Sequence, residues 1–293
     1  MTIGLTGASG FIGKHIIRLA ARRGHEIIAF TRSPEHKVPG AVETRRFALD
    51  AIPDLQGCEA VIHLAGEPIL GLWTGAKKRH IVESRVRGTR RIVEAIAAMR
   101  EKPEVLVNAS AIGCYASSAD DELTERTPAG SGFLAATVQS WEEEARAAAT
   151  SRVVLLRSGI VLGQGGGALR LMAPAFRFGL GATIGDGRQW MSWIHIEDLA
   201  SLAIFAVEDL DVRGPLNATA PWPARHRDFM QTLARVLHRP AFLRIPAFVV
   251  RAALRGLAAE LLDSKRVLPA AAIDHGFRFR FPELETALRD LFG

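Results

Sequence analysis

The run Thr6-Gly7-Ala8-Ser9-Gly10-Phe11-Ile12-Gly13 constrains this chain more than any other stretch. It follows an apolar, strand-like segment at 3–6, and it leads into Ile12, Ile16, Ile17 and Leu19, which recur at helical spacing. Each glycine relaxes a different constraint. Gly7 permits a tight turn, Gly10 lets backbone approach a pyrophosphate, and Gly13 allows the helix to pack closely on a sheet. The helix N-terminus offers free N–H groups and a positive dipole end to the anion, so Ser9, Phe11 and Ile12 belong to the same expected cradle. Gly13-Lys14 also resembles the end of a nucleoside-triphosphate loop. That reading fails, because Ala8 stands five residues before Gly13 where glycine is required, and His15 follows where a hydroxyl would hold magnesium.

From residue 2 to about 160, short apolar runs alternate with longer amphipathic stretches, the pattern of βα units around a mainly parallel sheet. Strands are predicted at 3–6, 26–30, 44–48, 60–64, 105–109 and 153–157, and helices near 12–23, 78–99 and 134–149, the first closing at Gly24. Right-handed crossovers then make the sheet doubly wound, a Rossmann-type α/β fold. After Gly163 the texture changes to Gly165-Gly166-Gly167, a glycine-rich loop at 179–187, and helices interrupted by Pro221, Pro223, Pro240 and Pro246. The expected division is a dinucleotide-binding domain over 1–163 and a smaller mixed lobe on the substrate side over 164–293. The segment near 188–220 is open to either.

A chain of 293 residues suits one large domain with a small partner, and 48% hydrophobic with 23% charged residues leaves no case for disorder. No apolar run reaches the ~18 residues of a membrane span, and the first residues lack a basic leader, so the expectation is cytoplasmic. Cys58 and Cys114 lack paired spacing and read as buried thiols, and the nine histidines show no metal-ligand spacing. A net charge of +6 raises the question of nucleic acid. The basic residues fall in short groups such as Lys77-Lys78-Arg79 without interleaved aromatics, which argues against nucleic acid and reads as solvated helix faces.

The second predicted strand runs into Thr31-Arg32-Ser33, where a dinucleotide fold presents a residue to the adenosine ribose. A carboxylate there suits NAD. Arg32 instead supplies a guanidinium fork suited to a 2′-phosphate, and no acidic residue follows until Glu35. NADP(H) is therefore the predicted cofactor, with a plain surface arginine in a turn as the alternative.

Several further stretches carry a resemblance: HLAGEPI at 63–69, ESRVRGT at 83–89, NASAIGCYA at 108–116, LRSGIVLG at 156–163, GDGRQWMSWIHIEDLA at 185–200 and SKRVLPAAAIDHGFRFRFPELETAL at 264–288. With TGASGFIG and TRS they cover nearly the whole chain. It resembles an atypical extended short-chain dehydrogenase/reductase of the epimerase-family type, commonly described as nucleoside-diphosphate-sugar epimerases, with that type's C-terminal domain. The resemblance implies that Leu64, Ala65 and Gly66 line the adenine-ribose and pyrophosphate side, and that Thr31 joins Arg32 at the 2′-phosphate. It places Arg85 toward the cofactor, or else as a surface arginine, and Ser110 near the nicotinamide, or else as a serine at a strand end. Trp193, His195 and Asp198 fall where a strand enters a helix. Asp198 is expected to cap that helix, and His195 is either a hydrogen-bonded core histidine or an acid/base. The loop at 185–195 and the C-terminal helices are expected over the nicotinamide end.

The chain departs from its relatives in the catalytic set. Those relatives use Tyr and Lys four residues apart on one helix, the lysine lowering the tyrosine pKa. Here Tyr115 is the sole tyrosine, Ala119 stands four residues on, and no lysine occurs between Lys102 and Lys265. The helix that should carry the pair reads Phe133-Leu134-Ala135-Ala136-Thr137. The resemblance thus implies an NADP(H)-dependent epimerase or oxidoreductase acting on a small substrate, nucleotide-linked or otherwise, with Ser110 and His195 as candidate proton carriers. A non-catalytic NADP(H) sensor is the alternative. Pairing into a homodimer through the helix at 78–99 is a further implication, against a solvated face there.

Overall fold

The structure is a computed structural model that describes residues 1–148, 152–254 and 256–293. Seven parallel strands form the main sheet among the described residues: β1 (Thr2–Thr6), β2 (Glu26–Thr31), β3 (Glu43–Arg46), β4 (Ala60–His63), β5 (Val105–Ala111), β6 (Arg152–Ser158) and β7 (Gly214–Ala218). Their order is β7-β6-β5-β4-β1-β2-β3. Helices α1 (Phe11–Arg22), α2 (Gly75–Ala98), α3 (Phe133–Arg146), α4 (Leu169–Arg177) and α5 (Ile196–Glu208) precede β7. Then come α6 (His226–Val236), α7 (Ala247–Leu254), α8 (Gly256–Leu262), α9 (Ala270–Asp274) and α10 (Leu284–Phe292).

Both faces of a parallel sheet are covered, so each strand is apolar on both sides. Ile27, Ala29, Val105 and Val107 pack with Ile16 and Ile17 of α1 and Leu199 and Leu202 of α5, whereas Ile28, Phe30 and Leu106 pack with Ile92, Ala95 and Ile96 of α2. Helix α1 ends where glycine permits a left-handed residue: Gly24 has φ +75°, its N–H donates to Ala21 O, and His25 N–H donates to Ala20 O at 2.9 Å. Helix α2 begins earlier than its periodicity signals. The Thr74 hydroxyl accepts from Lys77 N–H at 3.2 Å, and this cap recruits Gly75, Ala76 and Lys77, which carry no apolar signal. The end at 149 predicted for α3 lies outside the described residues. Strand β7 had no strand signal in the sequence because Pro215 interrupts it, which an edge position tolerates. Cys58 and Cys114 are free and buried.

In the second part of the chain, α4, α6 and α10 enclose a separate core built on Leu169, Trp193, Phe229, Leu233 and Leu288. Phe11, the first residue of α1, reaches the glycine-rich stretch that precedes α4. Its ring lies on Gly163, Gly166 and Gly167, and a Cβ at Gly166 would overlap it. The neighbouring Gln164 side chain donates to Leu291 O in α10. The glycine-rich stretch is therefore a seat for one aromatic ring. No helix among the described residues is long and apolar enough to cross a membrane.

Candidate functional site

The strand order reverses between β1 and β4, and in such sheets the crevice beyond the C-terminal strand ends takes the ligand. Gly7 turns there with φ +69°, and its carbonyl accepts from Gly10 N–H at 2.9 Å. A Cβ at Gly13 would run into the Gly7 carbonyl and lie 2.7 Å from Ala8 Cα, so only glycine permits this approach. Gly10 caps α1 without a side-chain hydrogen bond, leaving the first-turn N–H groups facing the crevice. Opposite, Thr6 Oγ1 accepts from Leu64 N–H and Ala65 N–H at 3.1 Å each and donates to His63 Nδ1 at 2.7 Å. Burial lowers the His63 pKa to about 3, which keeps the ring neutral and able to accept. Leu64, Ala65 and Gly66 thus form the wall facing Gly7.

At the end of β2 a cavity of about 340 Å³ is lined by Ser9, Lys14, Thr31, Arg32, Ser33, His36, Lys37, Val38 and Pro39. Two lysines and an arginine line it and no carboxylate does. Thr31 Oγ1 is buried beside it with no hydrogen-bond partner. The glycine cradle, an orphaned hydroxyl and unneutralised cations fit a dinucleotide carrying a 2′-phosphate. Sequence reasoning found Ser9, Thr31 and Arg32 but missed Lys14 and Lys37. Lys37 offers no local motif, and Lys14 was weighed only as part of a triphosphate loop.

Arg85 is drawn inward. Its guanidinium lies 5.1 Å from the Trp141 ring centroid, donates to Glu67 O at 2.9 Å, and stands 3.6 Å from where a Gly66 Cβ would be. Burial lowers its pKa to about 10, and no carboxylate pairs with it among the described residues. It braces the 64–67 wall, while Glu67 N–H donates to Ser84 Oγ and the Glu67 carboxylate holds Lys77 at 2.6 Å.

Ser110 and Tyr115 join one buried polar network. The Ser110 hydroxyl donates to Glu142 at 2.6 Å, and Arg157 grips the same carboxylate through two bonds of 2.7 and 2.8 Å. Arg157 also donates to the Tyr115 hydroxyl at 2.9 Å, which in turn donates to Asn217 Oδ1 at 2.8 Å. Burial pushes the Tyr115 pKa up to about 12. Burial works against the Glu142 charge, but bonds from Arg157 and Ser110 outweigh it and hold the carboxyl below its ordinary value. Glu142 and Asn217 lie in no stretch singled out from the sequence, and Arg157 lies in LRSGIVLG without a role assigned to it there.

His195 stands apart from this network. It caps α5, its Nδ1 accepting from Glu197 N–H at 3.2 Å, and its ring lies 3.9 Å from that of Phe281. Its Nε2 is 3.4 Å from Asp290 of α10, and burial lowers its pKa to about 4. The expectation that Asp198 caps α5 is corrected: its carboxylate accepts from Arg280 N–H and Phe281 N–H at 2.8 and 2.9 Å, clamping the C-terminal tail instead. The helix is capped by the residue at its true start, three positions earlier. The loop at 185–191 meets the chain leaving β5. Trp190 Nε1 donates to Asp120 at 3.0 Å, and Arg225 and Arg266 cover the Trp190 ring. Among the described residues, no group of three or more His, Cys, Asp or Glu is placed to hold a metal ion.

Comparison with known proteins matches two stretches of the chain. Residues 3–218 match the NAD dependent epimerase/dehydratase family, and residues 245–291 match a domain of unknown function, DUF1731. The epimerase family protein YfhF of Bacillus subtilis is 39% identical across 99% of this chain and 98% of its own length. The human epimerase family protein SDR39U1 is 37% identical with 99% of each chain covered. The crystal structure of human SDR39U1 (isoform2) with NADPH superposes with a TM-score of 0.91 at 36% identity, over 99% of both chains. With its phosphate cradle on β1 and a DUF1731 tail, this chain belongs to the NAD dependent epimerase/dehydratase family.

Proposed function

We propose that the chain binds NADP(H) and acts as an epimerase or oxidoreductase on a small molecule held between the crevice and the C-terminal lobe. One observation carries the cofactor choice: Lys14, Arg32 and Lys37 line a single cavity beside the glycine cradle, with no carboxylate among them. The NADPH bound in SDR39U1, whose sequence aligns over 99% of this chain, supports it. When bound, the nicotinamide supplies hydride transfer. The chain's own residues bind and orient: Gly7–Gly13 and the α1 N-terminus take the pyrophosphate, Thr31 and Arg32 take the ribose phosphate, and Arg85 holds the 64–67 wall.

Of the two candidate proton carriers, Ser110 is the better placed, because it lies at the C-terminal end of β5 on the crevice side of the sheet. Its proton is committed to Glu142, so it offers a substrate hydroxyl only an acceptor. His195, neutral and packed between α5, Phe281 and α10, serves the second lobe. The same commitment of Ser110 and Tyr115 favours a second reading, a non-catalytic NADP(H) sensor. Calorimetry with NADPH and NADH tests the cofactor: equal dissociation constants would refute it. Oxidation of bound NADPH by a metabolite pool, against none in any fraction, separates enzyme from sensor.

A further inference from the structure

Beyond Gly66 the chain runs to a cluster the cofactor site does not use. The Trp73 ring meets Phe133 edge-on, with centroids 5.3 Å apart, and its Nε1 donates to Ile69 O at 2.8 Å. The Lys78 ammonium sits 5.0 Å from the Phe133 centroid and 6.0 Å from that of Trp73. From the other lobe, Gly256 at the start of α8 closes on Trp73, where a Cβ would lie 3.2 Å from Cε3. Three pieces of chain meet here: the 64–74 segment, the first residue of α3 and the first residue of α8.

Lys77 and Lys78 are neighbours with opposite situations. Lys77 is neutralised by Glu67 at 2.6 Å, whereas Lys78 has no carboxylate within 4.0 Å among the described residues. Aromatic faces attract an ammonium through their quadrupole, but they do not neutralise it. Trp73, Phe133 and Lys78 are each half-buried, so each keeps an open side, and Ile69, Leu70 and Leu72 extend the apolar surface beside them. A diphosphate would demand several cations and polar donors. One ammonium set among rings and aliphatic groups matches a single negative charge on a flat apolar body.

We propose that Trp73, Phe133 and Lys78 form a binding subsite for a planar aromatic carboxylate, its ring against the two aromatic side chains and its carboxylate on the Lys78 ammonium. The assignment of that ligand as substrate rests on the function proposed above, while the binding itself does not. The test uses 2-naphthoate and its uncharged analogue 2-naphthalenemethanol, titrated by calorimetry into the full chain with and without saturating NADPH. The expected results are saturable naphthoate binding, weakened about tenfold or more by Lys78→Met, with naphthalenemethanol shifted less than about twofold. Phe133→Ala should weaken both probes, and Trp73→Phe, which preserves packing, should weaken them less. NADPH affinity, unchanged in all three variants, reports intact folding. Absence of saturable naphthoate binding at millimolar concentration, or equal naphthoate binding by wild type and Lys78→Met, overturns the subsite. Naphthoate binding that persists in a protein unable to bind NADPH would instead sink the cofactor reading and leave the subsite standing.

Discussion

Two polar sites sit toward the C-terminal edge of the same sheet and differ in what balances their positive charge. In the cavity at the end of β2, Lys14, Arg32 and Lys37 share one lining that holds no carboxylate. Below the end of β5, Arg157 is locked onto Glu142, and every polar atom of Ser110 and Tyr115 in that network finds a protein partner. Unbalanced charge at a surface cavity is poised for a ligand. Balanced charge inside the fold has already been consumed by folding, because breaking it would strand a buried ion. The presence of ionisable groups near a crevice is thus a poor guide to chemistry until their partners are counted.

The largest expected effect concerns groups buried without charge. His63, His195 and His226 have pKa values lowered to about 3, 4 and 4 by burial, against an ordinary value of 6.5. Unfolding lets them bind protons near pH 6.5 that the folded state refuses. Their contribution is therefore complete above pH 6.5 and is lost as pH falls toward 4, on the order of 3 kcal/mol for each ring fully titrated. Urea denaturation at pH 7 and pH 4.5 measures it; equal stability at the two would show these rings to be less isolated from solvent. His195→Asn, which keeps an acceptor for the helix cap, should flatten part of the slope.

Next in size, Arg157→Met removes the partner of a carboxylate that is 3% exposed and should cost about 3–5 kcal/mol of stability. A loss below about 1 kcal/mol in chemical denaturation would erase the contrast drawn above. Arg32→Asp should do the reverse: little change in melting temperature, but a loss or inversion of the NADPH over NADH preference worth about 1.5–3 kcal/mol. Unaltered selectivity by calorimetry would leave Lys14 and Lys37 to carry the 2′-phosphate alone. The smallest effect is that of Tyr115→Phe, at ~1 kcal/mol of stability, with NADPH affinity unchanged and any turnover reduced less than about tenfold. A collapse of turnover with cofactor still bound would return the tyrosine to the chemistry.

What the sequence made legible is local. The cradle of Gly7, Gly10 and Gly13 declares itself within eight residues, and the unbroken apolar run Ile27 through Phe30 announces a strand covered on both faces. The links of the Ser110–Glu142–Arg157–Tyr115–Asn217 network were invisible, because its members come from four separate segments and the sequence does not say which of these polar residues meet. The cap of α5 was misread for a related reason. An aspartate in a first turn is the statistical choice, but the tail at Arg280 and Phe281 claims Asp198 from a distance of more than eighty residues, and an imidazole takes its place.

Phe11 carries a consequence for anyone who would recombine this chain with its relatives. Its backbone belongs to the cradle and its ring to a seat of three glycines some 150 residues later, beside the bond that ties Gln164 to the last helix. A chimera that swaps the N-terminal half at a boundary near 163 would separate the ring from its seat. Any larger side chain at the foreign Gly166 position would push α1 out of register with the strand below it, so crossover points belong before Phe11 or after Gly167, not between them.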